Sequence, residues 1–75
     1  MQRLDLTGLA CPMPIIKLKK FLSQNPALQD PFIVEVSDSG ALKDIPAFCQ
    51  QQKLNCELRQ SQPNIEFQVQ RGADV

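Results

Sequence analysis

Polar and apolar residues alternate over residues 2–6, with Leu4 and Leu6 on one side, and this pattern predicts a short first strand. Between residues 12 and 24 the period changes. Ile15, Leu18 and Leu22 recur at helical spacing with Phe21 beside them, while Lys17, Lys19 and Lys20 occupy much of the remaining surface. Two prolines in "NPALQDP" mark a loop. Residues 32–36 return to alternation, with Phe32, Val34 and Val36 on one face and Ile33 on the other. A second helix follows the turn "SDSG". Proline is tolerated in a first helical turn, so Pro46 places the start near Asp44, which would serve as N-cap, and the end near Gln52. Leu54, Cys56 and Leu58 alternate in one further strand and Ile65, Phe67 and Val69 in another, joined by "SQPN".

The element order is therefore β-α-β-α-β-β, and one sheet with both helices on one face is the arrangement that buries every apolar face. At 75 residues this is one domain, spanning residues 1–75. The longest apolar runs are far too short for a membrane span, and the polar N-terminus does not read as a signal peptide. Lys plus Arg and Asp plus Glu both number 8, so no basic excess draws the chain to nucleic acid, and four Phe without Trp or Tyr offer few surfaces for base stacking. The absence of His removes the commonest general base and rules out a Cys-His pair within the chain.

The chemistry concentrates in "GLACPMPIIKLKK". With Cys11 as N-cap, Pro12 becomes the first helical residue and Pro14 the third. The prolines then delete two donors at the helix mouth and leave the N–H groups of Cys11 and Met13. A thiolate is favoured at the positive end of a helix, and cysteines so placed have depressed pKa values. The lysines at 17, 19 and 20 add a screened contribution of the same sign. This is a nucleophilic sulfur with no base attached, which suits sulfur exchange between proteins and not hydrolysis. On this reading Pro14→Ala, which restores an N–H in the first turn, leaves the fold intact or slightly more stable. Cys49 shares a helical stripe with Ile45 and Phe48, and Cys56 sits between Leu54 and Leu58, so both read as buried filler. An odd cysteine count without a secretion signal points to the reducing cytoplasm, and the lack of C-x-x-C spacing indicates neither a dithiol redox motif nor a zinc knuckle.

Three stretches resemble the TusA/SirA-like sulfur-carrier family. "LDLTGLACPMP" is similar to the family's L-D-x-x-G-L-x-C-P-x-P, "KDIPAFC" to its D-I-P-x-x-C, and "FQVQRG" to its closing strand. The resemblance implies an α+β fold, a two-layer α/β sandwich with a mixed four-stranded sheet, related to the C-terminal domain of a bacterial translation initiation factor. It implies that Cys11 carries a covalent persulfide and that no separate cofactor is needed. Gly8, Pro12, Met13 and Pro14 would form the supporting motif, and Lys17, Lys19 and Asp38 would meet partners. The donor would be a cysteine desulfurase or rhodanese-like protein. The acceptor would lead to tRNA thiolation, molybdenum cofactor or related sulfur trafficking. The chain would then be a monomeric sulfurtransferase component of a sulfur relay and not a self-sufficient enzyme. It departs from the family in having Gln52-Lys53 where many members have Gly-His, and Met13 where some have an acidic residue. The alternative is an interaction or regulatory module of the same fold in which Cys11 only caps a helix.

Overall fold

The computed structural model describes residues 2–10 and 12–72. Its elements are β1 (Gln2–Leu6), α1 (Met13–Gln24), β2 (Phe32–Val36), α2 (Ala41–Gln51), β3 (Leu54–Gln60) and β4 (Ile65–Arg71). The sheet order is β1-β2-β4-β3. β1 runs parallel to β2, and β4 pairs antiparallel with both β2 and β3, so the sheet is mixed. The parallel pair is what the α1 crossover requires, because two strands running the same way cannot be joined by a tight turn.

Register explains which face is buried. Leu4, Val34, Phe67 and Leu58 lie in one row across the sheet, and Leu6, Val36 and Ile65 in the next. Side chains alternate with period two, so these rows share a face. Leu18 of α1 and Ile45, Phe48 and Cys49 of α2 close over it, forming one core with Phe32, Val34, Val36, Phe67 and Val69. Phe21 tilts against Phe32 with ring centroids 4.9 Å apart, fixing α1 over β2. The opposite face is polar: Arg3 of β1 bridges Glu35 of β2 at 3.0 Å and Glu66 of β4 at 3.1 Å.

Two expectations are corrected. α2 starts at Ala41, with Gly40 as its cap, and Pro46 lies inside the helix. Apolar burial decides this: Ala41, Ile45, Phe48 and Cys49 form one i, i+4, i+7, i+8 stripe, and starting at Asp44 would forfeit Ala41. Tight i→i−3 bonds from the N–H groups of Ala41, Leu42 and Lys43 wind the added turn. In β3, Leu58 is half exposed and Cys56 only half buried. β3 is an edge strand, and the helices do not reach across its far end.

Candidate functional site

The segment before α1 is held from both sides. At the end of β1, the Asp5 carboxylate accepts from the Thr7 N–H (3.0 Å) and hydroxyl (2.7 Å), and these bonds hold its pKa below the usual carboxylate value. Gly8 has φ +80°, a left-handed conformation in which glycine is the least strained residue. Its N–H donates to the Ser37 hydroxyl at 2.8 Å, tying the segment to the turn after β2. The Met13 N–H turns back to the Ala10 carbonyl at 2.9 Å.

These bonds set a register for α1 one residue later than expected. Pro12 is the cap, at φ −97° and ψ 14°, and among the described residues no side chain caps the helix. Met13 is the first helical residue and Pro14 the second. The Met13 N–H is therefore spent on the turn. Pro14 still replaces one of the donors a helix start leaves unpaired, which is why it is tolerated. Cys11, the expected nucleophile, lies outside the described residues. Its sequence neighbours Ala10 and Pro12 are both exposed.

Of the supporting motif, Gly8 and Pro12 are exposed, Met13 is 38% exposed and Pro14 is buried. Pro14 and Ile15 meet Asp38, Ala41, Asp44 and Ile45 of the α2 start in a seam too narrow to admit water. Asp38 is fixed there: its carbonyl accepts from the Ala41 N–H at 3.0 Å, and its carboxylate accepts from the Gly40 N–H at 3.4 Å. The starts of α1 and α2 are thus packed together, and the seam between them leaves no room for a bound molecule.

Lys17 and Lys20 stand together on one wall of a groove of about 290 Å³ between β1 and α1, above Leu4, Leu9 and Phe21. Lys19 is exposed on another part of α1 and does not join them. Near the helix starts, Met13, Ile16 and Leu42 are the large apolar side chains left exposed.

Sequence reasoning missed Ser37, Asp44 and Leu42. Ser37 was legible only as part of the turn "SDSG". The sequence reads Asp44 as a helix cap, and Leu42 belongs to the helical turn that the position of Pro46 conceals.

Residues 2–71 match the protein family described as Sulfurtransferase TusA. A candidate sulfur carrier protein of Neisseria meningitidis serogroup A is 46% identical over 50 residues, covering 67% of this chain and 66% of that one. The sulfur carrier protein TusA of Allochromatium vinosum is 40% identical over 50 residues, covering 67% and 64%. The chain thus spans just under two thirds of the length of these curated relatives. A SirA-like protein from Desulfitobacterium hafniense shares the fold, with a TM-score of 0.80 at 22% identity over 97% of this chain and 100% of that one.

Proposed function

Because the chain belongs to the sulfurtransferase TusA family, we propose that it is a sulfur carrier that holds a persulfide on Cys11. The observation that carries the reading is the family match across both helices and all four strands, with Cys11-Pro12-Met13-Pro14 at the entrance to α1.

The chemistry balances without an oxidant. The Cys11 thiolate attacks the outer sulfur of a donor persulfide, the donor's S–S bond breaks, and the donor cysteine leaves as a thiolate. In delivery, an acceptor nucleophile attacks the outer sulfur on Cys11, and Cys11 leaves as a thiolate. The positive end of α1 favours the anionic sulfur at both stages. The exposed sequence neighbours Ala10 and Pro12 suit a carrier, whose sulfur must be reached by two proteins in turn. Gly8 is held by Ser37, and Pro12 and Pro14 restrict the backbone at the cap and the second residue of α1. Met13, Ile16 and Leu42 form the apolar part of the contact surface, with Lys17, Lys19 and Asp38 around it. The donor is a cysteine desulfurase or rhodanese-like protein, the acceptor is a further protein of a sulfur relay such as tRNA thiolation, and the setting is the cytoplasm. Among the described residues, no helix is long and apolar enough to cross a membrane.

The test is intact-mass measurement after incubation with a cysteine desulfurase and cysteine. The protein gains the mass of one sulfur, lost on reduction, and Cys11→Ser gains none. A parent protein that gains no sulfur, or a serine variant that still does, overturns the reading and leaves the interaction module.

A further inference from the structure

The sheet order puts β1 and β3 at the two edges, and the edges differ. β3 is bulged between Leu58 and Gln60, and its Glu57 and Arg59 pair on the surface, features that blunt an edge. β1 pairs with β2 in unbroken register from Gln2 to Leu6. Its outer edge is therefore regular, and no strand among the described residues covers it. The groove of about 290 Å³ between β1 and α1 runs beside this edge. Leu4, Leu9 and Phe21, each partly buried, give it an apolar floor. Lys17 and Lys20 are exposed on its α1 wall, and neither makes an ion pair among the described residues. The carboxylate of Asp5, also at the groove, is already held by Thr7 and belongs to the opposite face of the sheet.

We propose that this edge takes an extended acidic segment of a partner protein, added to the four-stranded sheet as an outer strand beside β1. Backbone hydrogen bonds to β1 hold the segment, and its alternate side chains turn into the groove. There an apolar side chain covers Leu4, Leu9 and Phe21, and carboxylates meet Lys17 and Lys20. The spacings agree. Residues three apart on a helix have Cβ atoms about 5–6 Å apart. Alternate residues of a strand are about 6.7 Å apart. Two acidic residues at i and i+2 of the segment therefore face the two ammonium groups together.

Charge selects this occupant over a second copy of the chain. Two β1 edges paired about a two-fold axis would set Lys17 and Lys20 of one copy beside those of the other. The helix-facing residues of β1, Leu4 and Leu6, bring no carboxylate to relieve that repulsion. Size argues against a small molecule: the groove lies at the lower limit of such sites, which run from about 300 to 1,000 Å³. Binding at this edge requires no sulfur on Cys11, so it goes beyond the sulfur-carrier reading.

The test uses Cys11→Ser, which separates its outcome from sulfur loading. The probe is the capped peptide Glu-Thr-Glu-Thr-Leu-Thr-Glu-Thr-Glu, whose symmetric pattern puts leucine and paired glutamates on one face in either strand direction. The control, Thr-Glu-Thr-Glu-Leu-Glu-Thr-Glu-Thr, has the same composition and charge with the glutamates on the other face. Each is titrated into the protein at low salt and followed by amide NMR. The probe is expected to shift residues 2–9 and 17–24 and to slow amide exchange in β1 about fivefold. The control should bind about tenfold more weakly, and Lys17→Glu/Lys20→Glu should weaken the probe by a similar factor. If that variant does not fold, the two peptides and the exchange rates decide. Several results overturn the proposal: no binding at millimolar peptide, equal affinity for both peptides, or undiminished binding by the folded lysine variant. Shifts confined to α1 with unchanged β1 exchange would reduce the lysines to general anion attraction and overturn it too. Concentration-dependent shifts of β1 in the protein alone would assign the edge to a second copy instead.

Discussion

Pro14 shows how one register step changes an energetic sign. Read only as the third residue of the first turn, its replacement by alanine gains helix propensity. In the fold it is buried between α1 and α2 and lines their seam. Pro14→Ala removes two buried methylenes, worth about 0.8 kcal/mol each, and frees the unfolded chain, worth about 0.4–1 kcal/mol. At a helix start the proline was costing little, so the variant is expected to lose about 1.5–2.5 kcal/mol, read by urea unfolding. Slower sulfur loading should accompany the loss, because the same side chain fixes the entrance to α1. Cys49 carries a second expectation at this scale. Its hydrogen bond to Cys56 and its burial raise its folded pKa above the ordinary 9.0, so its contribution to stability is fully present below that value. Above it the unfolded chain loses a proton that the fold retains, and stability falls with a slope approaching about 1.4 kcal/mol per pH unit. Cys56, shifted the other way, favours the fold as pH approaches 9.0 from below. Unfolding curves between pH 7 and 10.5 should show this decline steepening near pH 9, and Cys49→Ala should flatten it. A parallel decline in the variant would assign it to other groups.

Among the described residues no side chain caps the start of α1, and its last turn holds no basic residue. Its C-terminal carbonyls are instead satisfied from another element. Arg71, the last residue of β4, donates to the carbonyls of Leu22 (2.8 Å), Asn25 (2.9 Å) and Leu28 (2.9 Å). One planar guanidinium thus closes the end of α1 and the following loop onto the sheet, and its positive charge suits the negative end of the helix. Arg71→Ala should cost about 2–4 kcal/mol in chemical denaturation, since it leaves several partly buried acceptors unpaired. Arg71→Lys should recover less than half, because an ammonium cannot span the three positions. Less than 0.5 kcal/mol for the alanine variant would mean that water replaces these bonds. Gly72 has an equally local reason: a Cβ there would stand 2.6 Å from the Lys53 carbonyl oxygen. The sequence announced "QRG" as a strand ending, but neither its long-range bonds nor this close approach leaves a periodic signal. Alternation and helical spacing did identify all six elements, since each has one buried face. Where a residue's position depends on a partner distant in sequence, as with Arg71 and the end of α1 or Gly8 and Ser37, periodicity is silent.

At the scale of the molecule, zero net charge conceals a division between two faces. The open face of the sheet carries Asp5, Glu35, Glu57 and Glu66 against Arg3, which bridges two of them, and Arg59, which pairs with Glu57. The helical layer opposite carries Lys17, Lys19 and Lys20 on α1 and Lys43 on α2, against the single carboxylate of Asp44. A partner with an acidic surface is therefore turned toward the helices, the side on which Pro12, Met13 and Pro14 lead into α1, even though the whole chain has no bulk attraction for it. Lys17 and Lys20 are the pair that shares one groove wall, so they should matter together and more than Lys19. Lys17→Glu/Lys20→Glu is expected to slow sulfur loading from a desulfurase about tenfold at low ionic strength, with most of the difference gone near 0.5 M salt, where charges beyond about 4–5 Å are screened. Lys19→Glu should produce a smaller effect of the same salt dependence. The maximal loading rate at saturating donor should change little, since charge acts on the encounter and not on the exchange of sulfur. Equal slowing at all salt concentrations would locate the lysines in the docked contact itself, and no slowing at all would make α1 an ordinary solvated helix face.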